Sequence, residues 1–234
     1  MPSAILSEFP LRLVPPPAGL SPAAIVAEAN HRIANNLAVV AGLVHLQASE
    51  IRGAGRALSP EAACSLLEEV SSRISTVGQF HRLLAREQAG DVELSAYLHD
   101  VADAALTSMS RVGKLDLDIR ARGDCTVPAA QALSIGLIVG EFVTNAVKYA
   151  HPGGVRGMVQ IGCHGQDDGE LLIWVADDGV GFPEGYDPGR DGGLGMRIVR
   201  NLASQLSARL SFESTSLGLK ATLRIPRPED SPAD

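Results

Sequence analysis

The chain has 234 residues, of which 45% are hydrophobic and 20% charged, and its formal net charge is −7. This length corresponds to about one or two domains, and the composition is ordinary for a chain that buries a core. The acidic balance argues against a nucleic-acid binder, which normally has a basic domain, and against attraction to an anionic membrane. No secretory signal and no run long enough to span a membrane is evident, so we expect a cytoplasmic protein. The three cysteines share no metal-ligand spacing, and we expect reduced thiols that are mostly buried.

The two ends of the chain differ from its middle. Residues 1–21 contain Pro10 and a run of three prolines at 15–17, and residues 227–234 contain two more prolines. Proline fixes φ and lacks an amide donor, so both ends are predicted to be extended or disordered. Two differently patterned regions, 22–90 and 91–226, lie between them.

The region 22–90 has the pattern of two helices. Ser21 and Pro22 provide a cap and a proline at the first helical position, and Ser59 and Pro60 repeat this arrangement. Apolar positions then recur at alternating steps of four and three, which is a heptad seam. The seam residues are Ile33, Leu37, Val40, Val44, Gln47 and Ile51 in the first helix, and Leu67, Val70, Ile74, Val77, His81 and Leu84 in the second.

Two heptad helices joined by a short loop form a helical hairpin. A single hairpin offers each seam only one partner, whereas two copies form a four-helix bundle that covers both seams. We therefore predict a homodimer. The alternative is that the two helices pack on the domain that follows.

The region 91–226 has a mixed α and β pattern. Helical periodicity covers residues 95–110, 128–150 and 196–205, while strand patterns cover 115–119, 159–163, 171–176, 209–213 and 219–225. We expect an α+β domain in which helices cover a mainly antiparallel sheet of four or five strands.

The helix predicted over 128–150 carries a polar stripe. Glu141, Asn145 and Lys148 are spaced by four and three residues and so share one face. A carboxylate, a carboxamide oxygen and an ammonium on one face suit a hydrated Mg²⁺ ion and phosphate oxygens, because Mg²⁺ keeps several waters and needs few protein ligands. The alternative is a solvated polar face.

A second candidate lies at the end of the predicted strand 171–176. Asp177 and Asp178 are followed by Gly179 and, after one residue, Gly181. A carboxylate at a strand end accepts well from an exocyclic amine, and glycines let a flat ring approach the backbone. The alternative is a plain acidic turn.

A third candidate opens the helix at 196–205. Gly192, Gly193 and Gly195 precede it, and glycines at a helix N-terminus expose amide donors at the positive end of the helix dipole. By itself this pattern is weak evidence for an anion site. It is neither a Rossmann fingerprint nor a Walker-type phosphate loop.

The fourth candidate is His31 on the first hairpin helix. It lies beside the seam, where its ring reaches solvent, and Glu28 and Asn35 lie one turn away on either side. An exposed imidazole with a pKa near 6.5 is largely neutral and nucleophilic at cellular pH. The alternative is an ordinary surface histidine.

Four segments, in chain order HRIANNL, EFVTNAVKYA, DDGVG and GGLGM, resemble the H, N, G1 and G2 boxes of bacterial sensor histidine kinases. The resemblance is closest to the HisKA_2 and HWE types, in which arginine, here Arg32, directly follows the histidine. It covers about residues 28–226. It implies a dimerisation and phosphotransfer hairpin followed by an α/β sandwich ATP-binding domain of the type shared with Hsp90 and gyrase.

The resemblance also implies roles for the N and G1 boxes. Asn145 would bind Mg²⁺, with Glu141 polarising the metal or its water, and Lys148 would lie near the phosphates. Asp177 would accept a hydrogen bond from the adenine amine of ATP, directly or through water. Gly179 and Gly181 would shape the base pocket.

The resemblance implies further that the G2 box cradles the phosphates of ATP through Gly193, Leu194 and Gly195. Residues 182–192 would form a short mobile lid over the nucleotide, from which Arg190 contacts phosphate.

The implied function is that of an ATP-dependent protein-histidine kinase. His31 would be the phosphoacceptor, flanked by Glu28 and Arg32, and would pass the phosphoryl group to the aspartate of a response-regulator receiver domain. A hinge near 87–91 would let the two domains meet, within one chain or across the dimer. The alternatives are a dimeric histidine phosphotransfer protein that does not use ATP and an anti-sigma-type serine kinase.

Three departures from the family pattern stand out. Ala34 occupies a position that usually holds lysine, and Leu219 follows Gly218 where many members have threonine near the adenine aspartate. We expect no sensory module before the hairpin, so input would come from a separate sensory protein, from the tails, or not at all.

Overall fold

The computed structural model describes Gly42, Ala48 and residues 59–84, 91–108, 115–153, 155–166 and 169–226. The predicted first hairpin helix, apart from Gly42 and Ala48, lies outside these residues. So do both predicted tails and the hinge over 87–90.

The second hairpin helix, α1, spans Pro60–Leu84 and begins where the Ser59–Pro60 pair predicts. Its seam residues fall into two groups. Of those whose side chains the structure describes, Leu67 and Ile74 are 65% and 40% exposed, whereas Val77 and Leu84 are buried, as is Phe80 outside the seam. The first part of α1 therefore presents an apolar surface, and its last turns enter the core of the following domain.

The buried end of α1 packs against two helices of that domain, α2 (Leu94–Ser108) and α3 (Ala129–Asn145). The Phe80 ring lies directly over Gly140 of α3, where a Cβ would come within 3.0 Å of the ring and within 3.8 Å of Val101. The alternative weighed from sequence, packing on the next domain, thus holds for the last turns of α1.

The domain contains seven strands, three α-helices and one π-helical turn within the described residues. Besides α2 and α3 they are β1 Asp91–Glu93, β2 Leu115–Arg122, β3 Thr126–Pro128, a π-helical turn Ala146–Ala150, β4 Gly157–Gly165, β5 Glu170–Asp177, α4 Leu194–Gln205, β6 Arg209–Thr215 and β7 Gly218–Pro226. The sequence prediction missed only β1 and β3, which are three residues long and too short to show a period of two.

The main sheet has the order β2-β4-β5-β7-β6. Only the β2–β4 pair is parallel, and the other pairs are antiparallel. This confirms the predicted α+β class and the predicted mainly antiparallel sheet of four or five strands, and the observed number is five. The β1–β3 pair forms a separate antiparallel ribbon.

The core lies between one face of this sheet and the helices. Alternate residues of β5, namely Leu171, Ile173 and Val175, are buried, as expected for a sheet with one covered face. Trp174 lies on the opposite face, and the Lys220 Nζ is 5.5 Å from its ring centroid. Cys125 and Cys163 are buried, while Cys64 is exposed on α1.

Helix α3 is the most apolar helix of the domain. With the π turn it is long and apolar enough to cross a membrane, but 67% of its apolar window is buried inside the domain. Its composition therefore fits the core helix that the structure shows.

The sequence predicted one continuous helix over 128–150, and the structure corrects this. The α-helix ends at Asn145, and Ala146–Ala150 form a single π turn. A π turn closes i→i+5 hydrogen bonds and is frequent at functional sites. After Asn145, the side chains therefore do not point in the directions expected from three-and-four spacing on an α-helix.

We expect Phe80→Ala to lower the free energy of unfolding by about 3–5 kcal/mol, because it removes a fully buried ring and leaves a cavity over Gly140. Chemical denaturation measures the change. Gln79→Ala is the control, and its effect should be small because Gln79 is exposed on α1 and lies outside the predicted seam. Equal effects of the two substitutions would contradict the packing described.

Candidate active site

A cavity of about 410 Å³ opens at one end of the main sheet. Its walls come from the end of α3, the π turn, the end of β5, the loop after β5 and the start of α4, with β6 and β7 at the back. Seven residues predicted from sequence line it: Asn145, Lys148, Asp177, Gly181, Gly193, Leu194 and Gly195. The structure thus brings together three motifs that are far apart in sequence.

Three predicted residues of the described part do not line this cavity. Glu141 is half-buried on α3 beside the cavity wall, and the helix presents Phe142 and Asn145 there instead. Arg190 is exposed on the loop after β5. Gly179 packs against Ala150, where a Cβ would lie 2.4 Å from the Ala150 Cβ. The predicted polar stripe is therefore divided between the cavity and the surface next to it.

The remaining predicted residues, Glu28, His31 and Arg32, lie outside the described residues, as does the Ala34 departure.

The Asp177 carboxylate is fixed by backbone donors. Its Oδ1 accepts hydrogen bonds from the Gly179 N–H at 2.9 Å and the Leu219 N–H at 3.3 Å. A carboxylate offers about four lone-pair sites, so capacity remains for a ligand's amine. Leu219, one of the departures from the family pattern, thus supports Asp177 through its backbone, and its side chain lines the cavity.

The two neighbouring aspartates have opposite pKa shifts. Burial raises the pKa of Asp177 above its ordinary value, against the lowering effect of the two backbone hydrogen bonds. Partial desolvation also acts on Asp178, but hydrogen bonds from the Met158 N–H and the His151 ring outweigh it and lower the pKa of that carboxyl. The carboxylate at the cavity is therefore the less solvated of the two.

The turn after β5 requires a glycine at 181. Gly181 has φ +70°, and a Cβ there would lie 2.3 Å from the Thr215 carbonyl oxygen. Both the left-handed backbone and the close approach to the β6–β7 hairpin exclude other residues. This explains physically the second glycine of the DDGVG segment.

Helix α4 points its N-terminus at the cavity. Gly193 is its N-cap and has no side chain to accept from the first amide groups, and Gly193, Leu194 and Gly195 all line the cavity. The amide N–H groups and the positive end of the helix dipole attract anions such as phosphate.

Side-chain contacts hold residues 182–192, the loop predicted as a lid, against β6 and α4. The Phe182 ring lies 4.6 Å from the Tyr186 ring and 5.7 Å from the Phe212 ring, measured between centroids. Arg200 of α4 donates from Nη1 to the carbonyl oxygens of Pro188 at 3.0 Å and Asp191 at 2.9 Å. No sequence pattern points to these residues, because they lie singly on different elements and form no motif.

The Asn145 carboxamide is oriented by a contact from α4. Its Nδ2 donates to the Met196 Sδ at 3.9 Å, a weak bond to a soft acceptor. Among the described residues no three His, Cys, Asp or Glu side chains cluster as metal ligands. An amide oxygen at the cavity wall nevertheless fits Mg²⁺, which keeps most of its water and needs one or two protein ligands.

The fold and the cavity define a class of protein. A mixed sheet with helices on one face, and a site built from an asparagine, an aspartate and a glycine-capped helix, are the features of a histidine kinase-like ATPase domain. Two family models match the chain: HisKA_2, described as histidine kinase, over residues 28–109, and HATPase_c_2, described as histidine kinase-like ATPase domain, over residues 102–224. The chain belongs to the histidine kinase family.

Similar proteins carry corresponding names. Blue-light-activated histidine kinase 2 of Erythrobacter litoralis (strain HTCC2594) is 30% identical over 206 residues, which are 86% of this chain and 56% of that protein. Sensor histidine kinase PdtaS of Mycobacterium tuberculosis is 32% identical over 213 residues, which are 88% of this chain and 40% of that protein. This chain thus spans about half the length, or less, of these two relatives.

Among solved structures, the histidine kinase domain from the Erythrobacter litoralis EL346 blue-light activated histidine kinase is similar to this chain. The TM-score is 0.59 at 29% identity, with 81% of this chain and 95% of that chain covered. This agrees with the predicted combination of a helical N-terminal part and an α/β sandwich domain.

The opposite pKa shifts predict opposite pH effects of two matched substitutions. A raised pKa of Asp177 stabilises the folded state below the ordinary value of 3.8, and this contribution is lost as pH rises through the folded-state pKa. Asp177→Asn should therefore be more stable than the unsubstituted chain at pH 7, with the gain disappearing near pH 3.

The control is Asp178→Asn. A lowered pKa of Asp178 stabilises the folded state above its ordinary value, so this substitution should destabilise at pH 7, with the loss disappearing as pH falls. Denaturation at the two pH values measures both. Shifts of the same sign at pH 7 would contradict the assignment.

Proposed function

We propose that the chain is an ATP-dependent protein-histidine kinase that phosphorylates its own His31 and passes the phosphoryl group to a response-regulator aspartate. One observation carries the proposal: a single cavity is lined by Asn145, Asp177 and the amide groups at the start of α4. These are a metal ligand, an acceptor for an amine and an anion site, which are the three functions that binding of Mg·ATP requires.

The base of ATP binds at Asp177 in this proposal. The carboxylate, held by the Gly179 and Leu219 amides, accepts from the adenine amine. Gly179 lets the turn pack against Ala150, and Gly181 lets it approach the β6–β7 hairpin, so both glycines support the proposed shape of the base pocket. The aromatic residues Phe142, Phe182 and Phe212 contribute apolar surface to the same cavity.

The phosphates bind at the other end of the cavity. The start of α4, at Gly193, Leu194 and Gly195, supplies amide donors, and Lys148 on the π turn supplies a positive charge. Arg190, exposed on the lid, is the proposed further phosphate contact.

Asn145 would hold Mg²⁺. Glu141, which precedes the cavity-lining Phe142 in the chain, would act on the metal through a bound water. Such an ion neutralises charge that develops on the phosphate oxygens during transfer. The donor set, one amide oxygen with one nearby carboxylate, suits an ion that retains its hydration.

The chemistry at His31 is an in-line displacement. An imidazole nitrogen forms a bond to the γ-phosphorus while the bond to the bridging oxygen of ADP breaks, which leaves phosphohistidine and ADP. Glu28, three residues before His31, would orient the ring and take up its proton, and Arg32, the next residue, would contact the incoming phosphate. The phosphoramidate then transfers its phosphoryl group to a receiver-domain carboxylate.

The proposed assembly is a cytoplasmic homodimer. Leu67 and Ile74 on α1 are exposed and belong to the predicted seam, so a second hairpin would cover them. The proposed partners are a response-regulator receiver domain and a separate sensory protein. No nucleic acid or membrane insertion is part of the proposal.

The first test is transfer of label from γ-labelled ATP with Mg²⁺. We expect an acid-labile, alkali-stable label on the chain, and we expect His31→Gln to abolish it while leaving nucleotide affinity unchanged. His99→Gln is the control, because His99 is exposed on α2, where it forms an i,i+4 pair with Asp103. A label that survives His31→Gln would show that another residue is the acceptor.

The second test separates a kinase from a relay protein that does not use ATP. Calorimetry should detect binding of Mg·ATP, and Asn145→Ala should weaken it at least tenfold while having a smaller effect on binding without metal. Asn201→Ala is the control, since Asn201 is exposed on α4. The absence of any binding by the unsubstituted chain would favour the relay function.

A further inference from the structure

His151 makes a contact that its sequence context did not suggest. The residue directly follows the π turn, and its Nε2 lies 2.8 Å from the Asp178 Oδ1. The His151 side chain is only 15% exposed, whereas that of Asp178 is 53% exposed. The contact therefore holds a largely solvated carboxylate against a mostly buried ring.

The histidine ring occupies a space that one glycine creates. A Cβ on Gly157, the first residue of β4, would lie 2.0 Å from the His151 Nε2 and 2.3 Å from its Cδ2. Any residue other than glycine would thus displace the ring. The same Cβ would lie 3.0 Å from the Asp178 Oδ1, so a substitution at Gly157 disturbs both partners of the contact.

The His151 ring links the end of the π turn to the turn after β5, and residues of both segments line the cavity. Asp178 follows Asp177 directly, and the Asp178 Oδ1 also accepts from the Met158 N–H at 2.8 Å. On the other side, the Val180 N–H donates to the Ala150 carbonyl oxygen at 3.0 Å. Contacts on both sides thereby fasten the turn that carries Asp177 to the end of the π turn.

We propose that His151, seated on Gly157, is a positioning residue that holds the turn bearing Asp177 in register with the helix bearing Asn145. The inference deepens the proposed function, because it assumes that Asp177 recognises the amine of an adenine nucleotide. Either neutral imidazole carrying the proton on Nε2 or imidazolium donates to the Asp178 carboxylate. The His151 ring is mostly buried, so its removal is expected to lower stability as well as to release the turn that bears Asp177, and base preference is the readout that separates the two effects.

The test compares ADP with GDP. Guanine has a carbonyl oxygen where adenine has the amine, so a well-placed carboxylate favours ADP and repels GDP. Loss of one hydrogen bond to a charged group corresponds to about a tenfold change in affinity. We expect His151→Ala and Gly157→Ala each to weaken ADP binding about tenfold by calorimetry and to leave GDP binding nearly unchanged.

Two further variants control the experiment. His151→Gln keeps an N–H donor near the Asp178 oxygen and should retain most of the ADP preference. His164→Ala alters an exposed histidine on β4 and should change neither affinity. Thermal unfolding of each variant reports on stability separately from base preference.

The outcomes are distinguishable. A His151→Ala variant with the unsubstituted chain's ratio of ADP to GDP affinity would overturn the inference, as would equal loss of both nucleotides together with a lowered unfolding temperature. If His151→Ala does not fold, Gly157→Ala and His151→Gln decide. Failure of the unsubstituted chain to bind ADP would instead overturn the proposed function, and the inference with it.

Discussion

The burial of α3 is the constraint on which the rest of the structure depends. Ten of its seventeen residues are buried, and it packs on α1, α2, α4 and the sheet. A helix held from so many sides cannot shift without opening the core, because close-packed interiors respond to small displacements. Its last residue, Asn145, is therefore fixed at the cavity wall, and the π turn that follows brings Lys148 to the same wall.

Helix α1 packs directly against the ATPase domain. Phe80 of α1 lies over Gly140, which is five residues before Asn145 on the same helix. Helix α1 and the ATPase domain thus share a buried contact close to the cavity. Any movement of the first relative to the second has to begin at this apolar contact, whose separation exposes a large ring to water.

Two residues at the cavity have an environment or a backbone conformation that costs stability. Asp177 is partly buried although burial disfavours its charged form, and Gly181 adopts a backbone conformation that other residues avoid. Backbone donors from Gly179 and Leu219 offset part of this cost. A local loss of stability of this kind is typical of binding sites. There a hydrogen-bond acceptor is held in place for a ligand and is not satisfied by the core.

The sequence by itself determined the α+β class, the five strands of the main sheet, the start of α1 and the three segments that meet at the cavity. These follow from periodicity, capping residues and glycine spacing, which are local properties. Only the tertiary structure decided which residues of each segment face the cavity. Glu141 stayed out of the cavity although Asn145 and Lys148 line it, and the Leu219 backbone amide bonded to Asp177. Arg200 and His151 met partners 9 to 27 residues away. Contacts of this kind depend on how elements pack against one another, and no pattern of neighbouring residues encodes them.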